Sequence, residues 1–405
     1  MRTATAGLAN EPPTASLADD LARWATEFDP SDDDLALARR SLLDTVGVLF
    51  AARDDPLAPL FAQLGEAGRW AALAHVLDYD DLHLQSTTHI SAVCVPVALA
   101  GTSDGAWAER AYLAGAGVMA RLGTALGWRH YHAGWHATCT AGAPGAAVVA
   151  AVARGLDAEA VSRAIALALP AAGGVQRAFG TSAKSLQVGF AADAGVRAAA
   201  LAQAGATADP LALEQWMALV GGDPQAIDLG GPGVPGGLAI KPYPCCYALQ
   251  RPISAVIALE PVAADQVRHI IIRTPAASLA PLIHHSPQTG LEGKFSLGYG
   301  IAAALLDGDP GFDSFSDDAV RRPDAVRLMD MVEVVATDGG DHLLTGDVEI
   351  EIDGDVSRRA TLATAPGAPE RPMTDDELSA KLELCGAAEL AGLTWESAAK
   401  FLRSL

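Results

Sequence analysis

Positive charge is scarce in this sequence of 405 residues. It has 28 lysines and arginines against 49 aspartates and glutamates, which gives a formal net charge of −21. A nucleic acid or an anionic membrane surface would repel such a chain, because binding to either depends on basic side chains. We therefore expect neither as a partner, and a small anionic substrate would need positive groups placed locally.

Cysteine pairs, long apolar segments and a signal sequence are also missing. The five cysteines form no C-x-x-C pair, so there is no sign of a disulfide framework or a familiar iron–sulfur pattern. No window reaches about 20 uninterrupted strongly apolar residues, and the N-terminus lacks the apolar core of a signal peptide. We expect a cytoplasmic protein whose residues 1–15 form a disordered leader.

Alanine-rich segments with helical periodicity fill the first half of the chain, which is 50% apolar overall and can bury a large core. The Gly/Pro segment 229–237 is typical of a domain crossing. Beyond it, β-type runs at 267–274, 331–337 and 343–354 alternate with helical ones at 253–259 and 296–306.

Helical patterns return near the C-terminus, where Thr374 and Glu377 form a capping box. We therefore predict a mainly α protein with two domains. Residues 16–236 and 372–405 would form a large all-helical domain built from both chain ends. Residues 237–371 would form a smaller inserted α+β lid domain.

Three histidines, His130, His132 and His136, fall within a glycine-flanked segment that we place at a loop-to-helix junction. Imidazole is a common metal ligand, but no adjacent cysteine or glutamate completes a familiar signature, so we expect no metal. A solvated structural loop is the other simple interpretation. We favour acid–base or substrate-binding use for at least one histidine, above all His136.

Carboxylates and lysines mark two further segments. The motif HVLDYDD (75–81) precedes His89 and an apolar helical segment. Acidic residues there can simply favour a helix N-terminus, but beside histidines they can also tune proton transfer. Only five lysines occur, and Lys184, Lys241 and Lys294 all stand in Gly/Pro- or aromatic-flanked motifs. Such placement favours a functional role for these three lysines over random placement on the surface.

Six segments, in order, resemble the MmgE/PrpD family, and the resemblance runs from about residue 16 to the C-terminus. The segments are DTVGVLFAA (44–52), the acidic motif with its following histidine (75–91), YHAGWHATCTAG (131–142), GTSAKSLQVGFAADAGVRAAALAQAG (180–205), KPYPCCYA (241–248) and KFSLGYGIAAALLDG (294–308). The family includes 2-methylcitrate dehydratase, cis-aconitate decarboxylase and iminodisuccinate epimerase. The resemblance implies the same two-domain fold, a homodimer and chemistry without a cofactor.

The resemblance further implies that five catalytic residues line one cleft: Asp78, His89, His136, Lys184 and Tyr299. The reactions of the family share a carbanion next to a carboxylate, which calls for a neutralising cation and a nearby base. The cation would be Lys184, the two histidines would be base and acid in an order that stays open, Asp78 would tune a histidine and Tyr299 would donate a hydrogen bond. Substrate-binding roles are expected for Lys241, Gln250, Arg251, Thr138, Thr181 and His132.

Departures from the family pattern bear on the reaction. Leu82 stands where a threonine commonly follows the acidic pair, Gln250 lies near the place of a usual histidine, and the chain is short between residues 53 and 70. These departures disfavour 2-methylcitrate as the substrate. The motif Tyr-x-Ala-Gly-Trp-His, in contrast, resembles that of the epimerase. We expect a lyase or isomerase for a small di- or tricarboxylate. The alternatives are an enzyme repurposed to specialised metabolism and a non-catalytic binding homologue.

Overall fold

The computed structural model of the protein describes residues 16–340, 342 and 344–405. The disordered leader predicted for residues 1–15 lies outside the described residues. Within the described ranges the fold is mainly helical with one small four-stranded sheet, as the sequence predicted. None of the helices in those ranges has both the length and the apolarity that a membrane span requires.

The larger part of the fold is helical throughout. Its helices are α1 (Leu17–Glu27), α2 (Asp32–Ala51), α3 (Ala58–Phe61), α4 (Glu66–Val76), α5 (Ile90–Gly101), α6 (Gly105–His132), α7 (Ala137–Ala153), α8 (Ala158–Ala168), α9 (Ser182–Gln203), α10 (Ala212–Val220), and, from the C-terminus, α16 (Asp375–Leu384) and α17 (Trp395–Arg403). Capping boxes begin several of them. Ser31 with Asp34 caps α2, and Thr374 with Glu377 caps α16, which confirms the sequence prediction for α16.

Helix α7 lies at the centre of the helical part. Every residue of Ala137–Ala153 is buried, and the helix packs on α5, α6, α8 and α9. A helix that is apolar on all sides fits only a protein interior. Its neighbours approach closely: a Cβ atom on Gly115 would lie 2.1 Å from Val149, and one on Gly195 would lie 2.4 Å from Ala146. Glycine and alanine therefore set the short spacing between these helices.

The last two helices return to the helical part. Helix α16 packs on α2, and α17 packs on α2, α5 and α6. The Lys381 ammonium of α16 lies 2.6 Å from the Asp44 carboxylate of α2, and the rings of Trp395 and Tyr112 are 5.2 Å apart. Both chain ends therefore contribute to one helical body, while the boundaries at 236/237 and 371/372 stay predictions.

The smaller part holds the sheet, whose strand order is β2-β1-β3-β4. The strands are β1 (His269–Pro275), β2 (Val332–Thr337), β3 (Val348–Asp353) and β4 (Arg358–Leu362), and the helices are α11 (Tyr247–Ile257), α12 (Gly290–Gly293), α13 (Leu297–Asp307), α14 (Asp317–Val320) and α15 (Pro323–Met329). Strand β1 runs parallel to β2 and antiparallel to β3, and β4 runs antiparallel to β3.

Strand β3 shows the alternation that the sequence predicted. Val348, Ile350 and Ile352 are buried, and α11 packs on β3 and β4. The strand is shorter than the predicted run 343–354, since it begins only at Val348. Strand β4 was not predicted, because its sequence RRATL has too few apolar residues to reveal a strand.

Candidate active site

The three histidines of the central motif lie at the end of one helix and the start of the next. Helix α6 continues to His132 after a kink at Gly127, where φ is 65°, so the predicted loop is mostly helix. His136 is the N-cap residue of α7, and its backbone N–H donates to the Gly174 carbonyl at 3.0 Å. The short gap between the helices therefore points the neighbouring histidines in different directions.

Each histidine has a different environment. The buried His130 ring is held between the Val220 carbonyl and the Thr140 hydroxyl, at 2.8 Å from each. His132 is exposed at the end of α6. His136 is 3% exposed, and the Phe179 ring packs edge-on against its imidazole. Only His136 of the three is placed for chemistry in a cavity.

The turn between α4 and α5 carries the acidic motif. Asp78 has φ of 53°, in the left-handed region that non-glycine residues seldom adopt. Lys241 Nζ lies 2.6 Å from Asp78 Oδ1 and 2.9 Å from its carbonyl oxygen, and Lys184 Nζ lies 3.4 Å from Oδ2. Lys241 therefore fixes a strained turn and holds the carboxylate between two ammonium groups.

Asp80 of the same turn joins two imidazoles. His75 Nδ1 and His89 Nδ1 lie 2.8 Å and 2.9 Å from the same oxygen, Asp80 Oδ2. His75 Nε2 in turn lies 2.6 Å from Lys184 Nζ. A carboxylate can only accept, so His75 donates its Nδ1 proton to Asp80, while His89 Nδ1 lies at ion-pair distance without the alignment of a hydrogen bond. His75 then offers Nε2 as the acceptor for Lys184.

Lys184 enters the site from the first turn of α9. Its ammonium group lies 5.5 Å from the centre of the Phe179 ring and 5.3 Å from that of Phe295. Aromatic faces attract a cation and exclude water around it. Lys184 thus has apolar walls, one hydrogen-bond acceptor in His75 and one counter-ion in Asp78.

These side chains surround a small cavity of about 50 Å³. It lies between the helical part and α11 of the smaller part. The lining residues are Asp78, Leu82, Thr87, His89, Tyr131, His136, Phe179, Lys184, Cys246, Tyr247, Ala248, Pro281, Phe295 and Leu344. A small substrate in this cavity would be within reach of an ammonium group, a carboxylate and two imidazoles.

Burial and charge set the ionisation of these groups. Burial opposes ionisation of Asp78, but Lys184 and Lys241 outweigh it and hold the pKa of the carboxyl well below its usual range. Burial lowers the pKa of His89 to about 3, although Asp80 partly offsets this effect. Burial and then Lys184 lower the pKa of His136 well below its ordinary value. Both cavity histidines are therefore neutral at pH 7 and can accept a proton.

The structure brings together four of the five expected catalytic residues. Asp78, His89, His136 and Lys184 line one cavity, although they come from three separate segments of the chain. Tyr299 does not join them. It is fully buried among the apolar residues of the smaller part, and its hydroxyl donates to the Ser314 carbonyl.

The expected substrate-binding residues mostly lie behind the cavity wall. Lys241 supports Asp78, and the Thr138 hydroxyl accepts from the His89 backbone N–H at 3.1 Å. Thr181 is the N-cap residue of α9, where its hydroxyl bonds to neighbouring backbone groups. Lys241 and Thr138 support residues that line the cavity, Thr181 caps the helix that carries Lys184, and none of the three lines the cavity.

Gln250, Arg251 and His132 also lie outside the cavity lining. Gln250 is buried, and its amide bonds to both the N–H and the carbonyl of Tyr243 at 3.1 Å. Arg251 donates to the Gly346 carbonyl and the Ser278 hydroxyl. In this structure Gln250 shapes the loop before α11, and Arg251 holds the loop before β3.

Three residues of the site were not predicted. His75 and Asp80 belong to the acidic motif, and their place in that motif was the available signal in the sequence. Only the fold reveals that Asp80 contacts His75 and His89, and that His75 contacts Lys184. Tyr247 lines the cavity, and its buried hydroxyl has no hydrogen-bond partner within the described ranges. Nothing in the sequence distinguishes this hydroxyl.

His75, Asp80 and His89 also form the donor set closest to a metal site, with ligand atoms all within 4.8 Å of one another. The His75 Nδ1–Asp80 Oδ2 distance of 2.8 Å is that of a hydrogen bond, and the His89 Nδ1–Asp80 Oδ2 distance of 2.9 Å is that of an ion pair. A cation there would also face Lys184, which is bonded to His75. The present arrangement suits a proton network better than a metal, and the expectation that no metal binds stays a prediction.

Comparison with known proteins agrees with the sequence resemblance. The family model of the MmgE/PrpD N-terminal domain matches residues 64–221, and that of the MmgE/PrpD C-terminal domain matches residues 243–392. Two similar curated proteins are cis-aconitate decarboxylases, one from Aspergillus terreus (strain NIH 2624 / FGSC A1156) and one from Aspergillus terreus. They are 26% and 25% identical to this chain over 353 residues, which covers 76% of this chain and 71% of each relative.

Proposed function

The chain belongs to the MmgE/PrpD family, and from that premise we propose that it is a lyase or isomerase acting on a small di- or tricarboxylate. The reaction passes through a carbanion next to a carboxylate and uses no metal or organic cofactor. The observation that best supports this function is that Lys184, His89 and His136 line one cavity.

Each group has a physical reason for its role. A proton next to a carboxylate is only weakly acidic, because the carbanion adds a second negative charge beside the first. Lys184 offsets that charge in a cavity where burial strengthens the attraction. Neutral His89 and His136 can accept a proton, and the aromatic walls of Phe179 and Phe295 keep water from the carbanion.

Three reactions pass through such a carbanion. In elimination the C–H electron pair forms a double bond as hydroxide leaves and takes up a proton to become water. In epimerisation the proton returns to the opposite face of the carbon. In decarboxylation the electron pair of the broken C–C bond stays on carbon, CO₂ leaves, and a proton is added.

The cavity wall differs from the expected pattern at Leu82. A leucine lines the cavity where the resemblance leads us to expect a threonine, so the site offers one hydroxyl fewer to a substrate. This apolar wall supports a substrate other than 2-methylcitrate. It is also the observation that favours the second candidate, a family member that binds a carboxylate without converting it.

Incubation in heavy water separates these possibilities. The full-length protein is mixed with cis-aconitate, 2-methylcitrate or iminodisuccinate, and each mixture is followed by NMR. Deuterium uptake marks carbanion chemistry, CO₂ release marks decarboxylation, a new double bond marks elimination, and inversion marks epimerisation. The double variant His89→Ala/His136→Ala should lose every signal. Binding of these acids with no exchange and no product would contradict catalysis and favour the binding homologue.

We also propose a homodimer and a cytoplasmic location, as the family resemblance implies. Sedimentation velocity of the purified chain tests the first, with a mass of twice 41.6 kDa as the expected result. Fractionation of the source cells tests the second.

A further inference from the structure

The two cavity histidines have different groups behind them. His89 Nδ1 lies 2.9 Å from the Asp80 carboxylate, whereas His136 Nδ1 lies 3.1 Å from the Gln187 side-chain oxygen. A carboxylate stabilises a protonated imidazole far more than a neutral amide does. The two rings therefore differ in how well they can hold an added proton.

Neighbouring backbone fixes the orientation of the Gln187 amide. Its Oε1 accepts from the Val175 N–H at 3.1 Å, and its Nε2 faces the Val175 carbonyl at 3.5 Å. A backbone N–H can only donate, so the oxygen of the amide must be the atom that faces both Val175 N and His136 Nδ1. His136 consequently carries its proton on Nδ1, and Nε2 keeps a lone pair.

Cys139 is the other group close to this nitrogen, with Sγ 3.2 Å from His136 Nδ1. A thiol proton pointing at Nδ1 would require a lone pair there, and that lone pair would also face the Gln187 oxygen. The contact therefore agrees with this geometry only if the Nδ1–H group donates to both the Gln187 oxygen and the Cys139 sulfur. Burial raises the pKa of this thiol, so it adds no negative charge to support an imidazolium.

The charges around the two imidazole rings also favour His89 over His136 as the ring that holds an added proton. Lys184 and the His75 ring lie near His136, and no carboxylate of the described residues forms an ion pair with its ring, so an added proton there would meet the charge of Lys184. His89 faces Lys241 and His75 as well, but Asp80 contacts it directly. Of the two, His89 is the ring that can become an imidazolium at lower cost.

We propose, on the basis of the proposed function, that His89 carries the proton with Asp80 as its positioning residue, and that Gln187 keeps His136 neutral. In the reaction the C–H bond breaks, its electron pair stays on the carbon next to the carboxylate that faces Lys184, and the proton moves to His89 Nε2. The proton then leaves with hydroxide as water, and His89 ends neutral, whereas its return from His89 to the same carbon would only reverse the step.

The proposal also narrows the substrate class. A neutral His136 with its proton on Nδ1 presents only a lone pair to the cavity, so it accepts a hydrogen bond and cannot donate one. The substrate group beside it is then a donor, such as a hydroxyl or an N–H. We infer a hydroxy or amino acid bearing the reacting carboxylate, in preference to an acid with carboxylates alone.

The tautomers can be measured without any substrate. The full-length protein is labelled with ¹⁵N in the histidine rings, and the signals are assigned with His89→Ala and His136→Ala. His136 is expected as the Nδ1–H form from pH 6 to pH 9. The Gln187→Glu variant should make His136 protonated at a higher pH, and Cys139→Ala should leave the tautomer unchanged. An Nε2–H form of His136, or no response to Gln187→Glu, overturns the proposal.

Kinetics provide the second arm, with the substrate found by heavy-water exchange. His89→Ala should lower kcat by roughly 10² to 10⁴-fold, the usual range for a lost acid–base group. His136→Ala should mainly raise KM, and Asp80→Asn should move the pH profile. His285→Ala, exposed and outside the cavity lining, is the matched control. Equal kcat losses in both histidine variants, with KM unchanged, would overturn the assignment. If the protein exchanges no acid, the proposed function fails while the tautomer measurement still decides this inference.

Discussion

Two buried aspartate–lysine pairs in this protein have the same length and different uses. Lys241 lies 2.6 Å from Asp78 beside the cavity, and Lys381 lies 2.6 Å from Asp44 between α2 and α16. Asp78 has a second cation in Lys184, and the two together hold its pKa well below its usual range. Asp44 has Lys381 as its only close cation among the described residues, and burial raises its pKa.

The surroundings of each lysine explain the difference. Lys381 Nζ donates to the Tyr79 carbonyl at 2.7 Å and sits 3.9 Å above the Tyr79 ring, so it is enclosed by protein. The pair at Asp78 opens onto a cavity that a substrate can enter. A buried ion pair is therefore no sign of a functional site by itself. The Asp78–Lys241 pair differs from the Asp44–Lys381 pair because it has an additional charge beside it and access to a cavity.

Among changes to the two ion pairs and their surroundings, the largest expected effect on turnover comes from removing the extra cation. Lys184→Met should lower turnover by roughly 10² to 10³-fold, because one positive group facing the carbanion is lost. The stability should change little, since Lys241 still pairs with Asp78. The exchange rate and the thermal midpoint check this, with the exposed Lys400→Met as control. A parallel fall in both quantities would show that Lys184 is mainly structural.

The opposite pattern is expected at the enclosed pair. Lys381→Met leaves the Asp44 carboxylate buried without a cation, which should lower the free energy of unfolding by about 3 to 5 kcal/mol. Turnover per folded molecule should be unchanged, because neither residue reaches the cavity. Urea denaturation measures the first quantity. The double variant Lys381→Met/Asp44→Asn should recover part of the loss, and a double variant as unstable as the single one would contradict this account.

Stability should also depend on pH through Asp81, a neighbour of the enclosed pair. Burial and the charge of Asp44 raise the pKa of Asp81 from 3.8 to about 7. The native state then binds more protons than the unfolded state between these pH values. The free energy of unfolding should fall as pH rises from about 4 to about 7, by at most about 1.4 kcal/mol per pH unit for one proton.

Asp81→Asn isolates that contribution, because an amide cannot titrate but can still bond to Ser91. Unfolding curves at several pH values should be flatter for the variant than for the native chain across this interval. An unchanged slope would mean that Asp81 is ionised in the folded protein at pH 5.

The smallest expected effect concerns the Tyr247 hydroxyl, which is buried, lines the cavity and lacks a protein partner in the described part of the chain. If it bonds to substrate, Tyr247→Phe should raise KM by about 5 to 10-fold, the equivalent of one hydrogen bond of about 1 to 1.4 kcal/mol. The thermal midpoint should not fall, since no bond within the protein is lost. An unchanged KM would place the bound substrate away from α11.

Much of the fold could be predicted from local patterns. Helical periodicity, the capping box at Thr374 and the alternation in β3 each depend on residues near one another in sequence, and the structure has all three. Strand β4 could not be predicted, because its pairing with β3, and not its own composition, makes it a strand. The same limit explains the error at His130, which the sequence placed in a loop and the structure places in α6.

The residues of the candidate site were likewise predicted only in part. Asp78, His89, His136 and Lys184 were predicted because their motifs are unusual in composition, and they do share a cavity. Tyr299 carried the same kind of motif evidence, yet its hydroxyl bonds inside the smaller part. His75 and Gln187 were missed as participants, since each acts through a partner distant in the chain.

The sequence alone determined which segments can form helices and which side chains have acid–base or cationic chemistry to offer. These properties follow from spacing and residue type, and they need no knowledge of distant contacts. Only the tertiary structure decided which lysine faces a cavity, which histidine is backed by a carboxylate and which by an amide. Charge, burial and hydrogen bonding depend on neighbours in space, and in this chain such neighbours can lie far apart in sequence, as do Asp44 and Lys381, which are 337 positions apart.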